Sequence, residues 1–94
     1  MTKTMNDLFP GERGVIVTIN TPGTIKRRLM DMGIIEGVEF EMIRTAPLGD
    51  PVEIKVNNTL VALRKSEAVT IIIEYKGTRL HARKRSRHRF GRKS

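Results

Sequence analysis

"VEFEMIRTAPLGDPVEIKVNNTLVALR", residues Val38 to Arg64, decides the fold. It alternates apolar and polar residues in three runs, as strands buried on one face do. In the first run Val38, Phe40 and Met42 point one way, with Glu39, Glu41 and Ile43 opposite. In the second, Val52, Ile54 and Val56 point inward, with Glu53 and Lys55 outward. "TLVALR" is the third. Asn57-Asn58 joins the last two runs as a hairpin turn, because asparagine tolerates positive φ better than other non-glycine residues. The longer connection, "RTAPLGDP", resembles an active-site loop but contains neither nucleophile nor base. Pro47 and Pro51 remove backbone donors and push Ala46 and Asp50 toward extended conformations. Gly49 frees one φ, and Asp50 can bond nearby amides as an Asx turn. A rigid crossover that offers Leu48 to a partner is the expectation.

Toward the N-terminus, "GERGVIVTI" reads as a further strand, with Val15, Val17 and Ile19 on one side and Ile16 and Thr18 on the other. The turn "NTPG" follows, and then the period changes. In "TIKRRLMDMG" the apolar residues Ile25, Leu29 and Met32 fall at i, i+4 and i+7, one stripe of a short helix. Thr24 is placed to cap its start, and Gly33 suits the left-handed position past its end. Toward the C-terminus, "KSEA" is a brief turn and "VTIIIEY" a last strand ending at Tyr75. Five short strands, with one short helix between the first and second and no βαβ rhythm, predict a mainly β, small antiparallel barrel.

Charge divides the chain. Its 94 residues carry 18 Lys or Arg and 10 Asp or Glu, a net +8. Nine of the basic residues and no acid lie after Tyr75, so residues 1–75 are near −1 and residues 76–94 near +9. The reading is one barrel domain, 1–75, followed by a basic tail, 76–94, with too few apolar residues to order itself. A body of about 75 residues buries only roughly 60% of its extended-chain surface, too little for a deep enzyme pocket. There is no cysteine, which removes disulfides, thiolate zinc sites and cysteine nucleophiles. No signal peptide or membrane-spanning run is visible, and an intracellular, soluble protein is expected.

Several ordered blocks together, "PGERGVIVTI", "RRLMDMGI", "EG", "APLGDP" and "VALRKSEA", resemble the FeoA family from about Leu8 to about Tyr75. The resemblance implies an SH3-like barrel and a non-enzymatic, cytoplasmic accessory protein of ferrous iron uptake. It implies docking on the transporter FeoB, whose cytoplasmic part carries a GTP-binding domain. Related modules form C-terminal domains of some iron- and manganese-dependent repressors, so a metal-dependent regulatory module is an alternative. The "VNNT" turn and the basic tail depart from the family pattern.

The residues point away from catalysis. Residues 1–75 contain no histidine and one serine, Ser66, without a base. Glu36, Glu39, Glu41, Asp50 and Glu53 fall mostly on solvent faces, where only weak, incidental divalent-metal binding is expected. His81 and His88, the only histidines, sit among cations. No cofactor and no small-molecule substrate are expected. The candidate partner-binding residues are Lys26, Arg27, Arg28 and Met30 on the helix, and Leu48 and Asp50 in the loop. In the tail, Arg83, Lys84, Arg85, Arg87 and Arg89 are candidates for an anionic inner-membrane surface or a nucleic acid. A small nucleic-acid-binding barrel is the competing function. Against it, no basic stripe with interleaved aromatics crosses the strands.

Overall fold

The strands expected from the alternating runs join one antiparallel sheet in a computed structural model that describes residues 2–78. Among these residues the strands are β1 (Thr2–Thr4), β2 (Glu12–Ile19), β3 (Glu39–Thr45), β4 (Val52–Val56), β5 (Thr59–Leu63) and β6 (Ile71–Thr78). Helix α1 (Gly23–Asp31) lies between β2 and β3, and α2 (Lys65–Ala68) between β5 and β6. A 3-10 turn, Met5–Asp7, follows β1. The strand order is β1-β6-β2-β3-β4-β5, so the β3-β4-β5 meander forms one end and β6 returns to pair with β2.

The inward set on β3 and β4 is the one the alternation predicts. Phe40, Met42, Val52, Ile54 and Val56 are all buried, with Val61 and Leu63 of β5 and Ile71 and Ile73 of β6 across from them. Leu29 of α1 fills one end of this core, with Ile25 and Met32 packed at its margin. Asn57 and Asn58 take φ of 52° and 62°, the left-handed pair that a two-residue hairpin of matching twist requires. Gly33 ends α1 with φ 98°, as its position predicts.

β2 differs from its alternation. Ile16 and Ile19 are buried, whereas Val17 is 43% exposed. The cause is a bulge. Ile16 faces Ile73 and Thr18 faces the adjacent Ile72, so Val17 is an extra residue. The bulge resets the phase and lets two residues three apart both reach the core. Gly14 has a separate constraint, since a Cβ there would lie 3.0 Å from Ile73 Cδ1 and 3.2 Å from Phe40 Cε1.

Four further features differ from the sequence expectation. A sixth strand, β1, pairs with β6. β6 also runs on past Tyr75, taking Lys76–Thr78 from the start of the basic segment, and residues 79–94 lie outside the described part. Helix α1 begins at Gly23 with Pro22 at its N-cap and no side-chain cap, which places Thr24 inside the first turn. "KSEA" is a turn of helix because Glu67 bonds back to the amide of Arg64.

Candidate partner-binding surface

α2 is the junction of the molecule. Its Glu67 is 6% exposed, unusual for a carboxylate. Glu67 Oε1 accepts from the Arg64 amide at 3.3 Å, and Oε2 accepts from Nη2 of Arg28 on α1. On its other side, the amide of Lys65 donates to Asp50 Oδ1 at 2.9 Å. Asp50 therefore caps α2, replacing the local Asx turn expected from sequence. The Ala46–Pro51 loop is closed on itself as well, by Gly49 N–H to Ala46 C=O at 2.7 Å and Ala46 N–H to Pro51 C=O at 3.0 Å.

Two grooves border this loop. One of about 400 Å³ separates it from the N-terminal turn and is lined by Leu8, Phe9, Pro10, Pro47 and Gly49, among others. The second, of about 480 Å³, runs beside α1 and is lined by Ile25, Arg28, Pro51, Ala62 and Arg64, among others. Leu48 stands on the loop at 93% exposure, and Phe9 beside the first groove at 73%. Phe9 is positioned by its backbone. Its N–H donates to Glu12 Oε1 at 2.7 Å, its C=O accepts from the Glu12 amide at 3.0 Å, and Gly11 N–H bonds Met42 C=O at 2.7 Å.

The predicted residues divide into two groups. Arg28 and Asp50 both bond α2, through Glu67 and the Lys65 amide, and Leu48 stands on the loop that Asp50 ties to that helix. Arg27 and Met30 are exposed on other faces of α1, and Lys26 is half-buried there. Arg28 is no simple solvated cation, since it neutralises a buried acid. Two residues escaped the sequence reading, Phe9 and Glu67. An aromatic flanked by Leu8 and Pro10, ahead of the first strand, was the available signal for Phe9; Glu67 gave none, because its burial depends on Arg28, 39 positions away. Among the described basic residues, Arg13 pairs with Glu39 at 3.3 Å and Arg44 with Glu53 at 3.0 Å. These pairs engage two of the carboxylates considered as weak metal ligands and interrupt any basic stripe across the strands. Arg83, Lys84, Arg85, Arg87 and Arg89, with His81 and His88, lie outside the described residues.

Glu12 also reaches β6. Its Oε2 accepts from the Tyr75 hydroxyl at 3.0 Å, while Lys3 Nζ lies 4.7 Å from the centre of the same ring. The bond to Glu12 raises the Tyr75 pKa above its ordinary value, with burial adding to the effect. The fold favours the neutral phenol. This contribution to stability is full below the unfolded tyrosine pKa of about 10 and is lost as pH rises through the raised value. Tyr75 is the only tyrosine, so a phenolate absorbance titration reports it directly. The expected midpoint lies above that of a free tyrosine and returns toward it in Glu12→Gln; an ordinary midpoint in the parent chain would remove the bond from this account.

A small curled sheet with exposed apolar side chains on fixed loops is the architecture of an all-β binding module. The chain belongs to the FeoA family, non-enzymatic accessory proteins of ferrous iron transport with an SH3-like fold; the FeoA domain matches residues 3–75. An Fe(2+) transport protein A/Fe(2+) transporter FeoB fusion protein of Porphyromonas gingivalis is 31% identical over 70 residues, which are 74% of this chain and 8% of that protein's length. The FeoA protein of Chlorobium tepidum is 33% identical, with TM-score 0.74 over 77% of this chain and 69% of that one. The FeoA of Stenotrophomonas maltophilia, an SH3 domain protein solved in complex with zinc, is 29% identical, with TM-score 0.66 over 76% of this chain and 88% of its own. No helix among the described residues is long and apolar enough to cross a membrane.

Proposed function

We propose that the chain docks on the cytoplasmic, GTP-binding part of a FeoB-type ferrous iron transporter and modulates it. The observation that carries this reading is the relative in which transport protein A and the transporter are one polypeptide. Two domains joined in one chain meet at a high effective concentration, and separate chains that serve the same function need a docking surface instead. The surface best suited to that role is the loop with Leu48, the neighbouring Phe9 and the groove between them. Exposed apolar and aromatic side chains next to concave surface are the usual anchors of such contacts. The second groove, where Arg28 of α1 meets Pro51 of the same loop, extends this surface toward α1, whose exposed Arg27 contributes a polar rim.

Binding of the full chain to the purified cytoplasmic part of the transporter, followed by calorimetry, tests this. Leu48→Ala and Phe9→Ala should each weaken binding by about fivefold or more, the loss expected for an interface anchor. Neither should change the melting temperature, because neither side chain is packed in the core. Arg27→Glu should lower affinity further only at low salt, as a rim charge does. Binding unchanged in both apolar variants would exclude this surface.

A further inference from the structure

We infer that β5 is a self-complementary sheet edge through which two copies of this chain pair antiparallel across a two-fold axis centred on Val61, joining their sheets into one. This inference is independent of the proposed transporter contact.

Among the described residues, β5 is the last strand of the sheet and pairs only with β4. The Asn57-Asn58 turn makes Val56 and Thr59 the hydrogen-bonded closing pair of the hairpin. Alternation then directs the backbone groups of Thr59, Val61 and Leu63 to β4, and those of Leu60 and Ala62 out of the sheet edge. No bond to these outward groups is made by the described residues. Sheets usually protect such an edge with a lysine, a proline, a bulge or a very short strand. The opposite edge has two of these protections, since β1 is three residues long and carries Lys3. β5 has none: "TLVAL" is uncharged and regular, and its outward Leu60 is 59% exposed.

The pairing register follows from which groups point outward. With Val61 opposite its symmetry mate, Leu60 of each copy faces Ala62 of the other, and both pairs exchange backbone bonds. Any other symmetric register pairs fewer of these groups. On the outer face the large Leu60 side chain covers the small Ala62 of the second copy, twice over. Like charges stay apart, because Arg64 of one copy falls opposite the uncharged Asn58 of the other. The same register brings the second copy's Asn57-Asn58 tip toward the groove beside α1, where Ala62 and Arg64 form one wall and Ile25 and Arg28 the other. That concavity leaves room for an incoming hairpin end. Asparagine side-chain carbonyls suit the guanidinium donors of Arg28 and Arg64.

The test uses the full chain in sedimentation equilibrium from about 10 μM to about 1 mM, a range that covers weak dimers. The expected result is a mass that rises toward twice the monomer. Amide hydrogen exchange over the same range should slow at Leu60 and Ala62, while Thr59, Val61 and Leu63, already bonded to β4, keep their rates. Ala62→Lys should abolish the mass increase. Ala62 is exposed, so the variant should keep its fold; if it does not, the exchange pattern of the parent chain decides. A constant monomer mass overturns the inference. So does a dimer that survives Ala62→Lys, or one that forms without slowing exchange at Leu60 and Ala62.

Discussion

Phe40→Ala should unfold a large share of the molecules at physiological temperature. Phe40 is 2% exposed near the start of β3, among the largest fully enclosed side chains. Truncating a buried phenylalanine costs about 3–5 kcal/mol through lost burial and the cavity left behind. A domain of this size has roughly 4–11 kcal/mol of stability in total. Collapse around the cavity is restricted here, because Gly14 already lets β2 approach the ring closely, with 3.2 Å from its notional Cβ to Phe40 Cε1. No side chain at Gly14 is available to swing into the space. Thermal unfolding followed by circular dichroism should show a melting point lowered by about 15 °C or more. A shift under about 5 °C would mean that the core relaxes far more than this geometry allows.

Arg28→Glu should be the most damaging change outside the core. On sequence alone, Lys26, Arg27 and Arg28 form one basic cluster, and reversing the charge of Arg27 and Arg28 together would be expected to weaken partner binding without unfolding the barrel. The structure separates them. Arg28 holds a carboxylate that is 7% exposed, and a glutamate there would leave Glu67 buried beside a like charge. Removing one partner of a buried pair costs about 3–5 kcal/mol; half of the Arg28 side chain is open to solvent, which reduces the expected cost to about 2–3 kcal/mol. Arg27→Glu, at an exposed position, should leave the melting point within about 4 °C, since surface substitutions usually change stability little. Partial recovery of the melting point on adding Glu67→Gln to Arg28→Glu, which removes the buried like charge and keeps an acceptor for the Arg64 amide, would confirm that the contact is responsible. Equal, small shifts in both single variants would show that the pair is only a surface ornament.

The contrast between these residues shows what the sequence could reveal. Phe40 was legible because strand alternation is local: every second residue from Val38 to Met42 is apolar, and no distant information is needed to predict its burial. The same holds for the Asn57-Asn58 turn and for Gly33, where backbone conformation selects the residue type. β2 was only partly legible. Its alternation is unambiguous, but the bulge at Val17 is imposed by pairing with β6, more than fifty positions away, and it moves Ile16 inward in place of Val17. β1 was invisible because "TKT" has no apolar pattern; it exists through backbone bonds to β6 and the Lys3–Tyr75 contact. The candidate surface followed the same rule. Leu48 could be found, since a leucine in a proline-bounded loop has no core to reach. The split between Arg27 and Arg28 could not, because it depends on where α2 lands.

The hydrogen bonds beneath Leu48 and Phe9 also bear on affinity. Both side chains project from backbone that is already fixed, one by the Ala46–Gly49 turn and the Asp50–Lys65 bond, the other by Glu12 and the Gly11–Met42 bond. The conformational entropy of ordering these loops is therefore lost when the chain folds, not when a partner arrives. Docking would have to offset only the side-chain rotamers of a leucine and a phenylalanine, together with the freedom of the two bodies. Two modest anchors on rigid supports can thus give a usable affinity without a large interface. It also follows that Asp50, which need touch no partner, would influence the proposed binding through the loop it holds still.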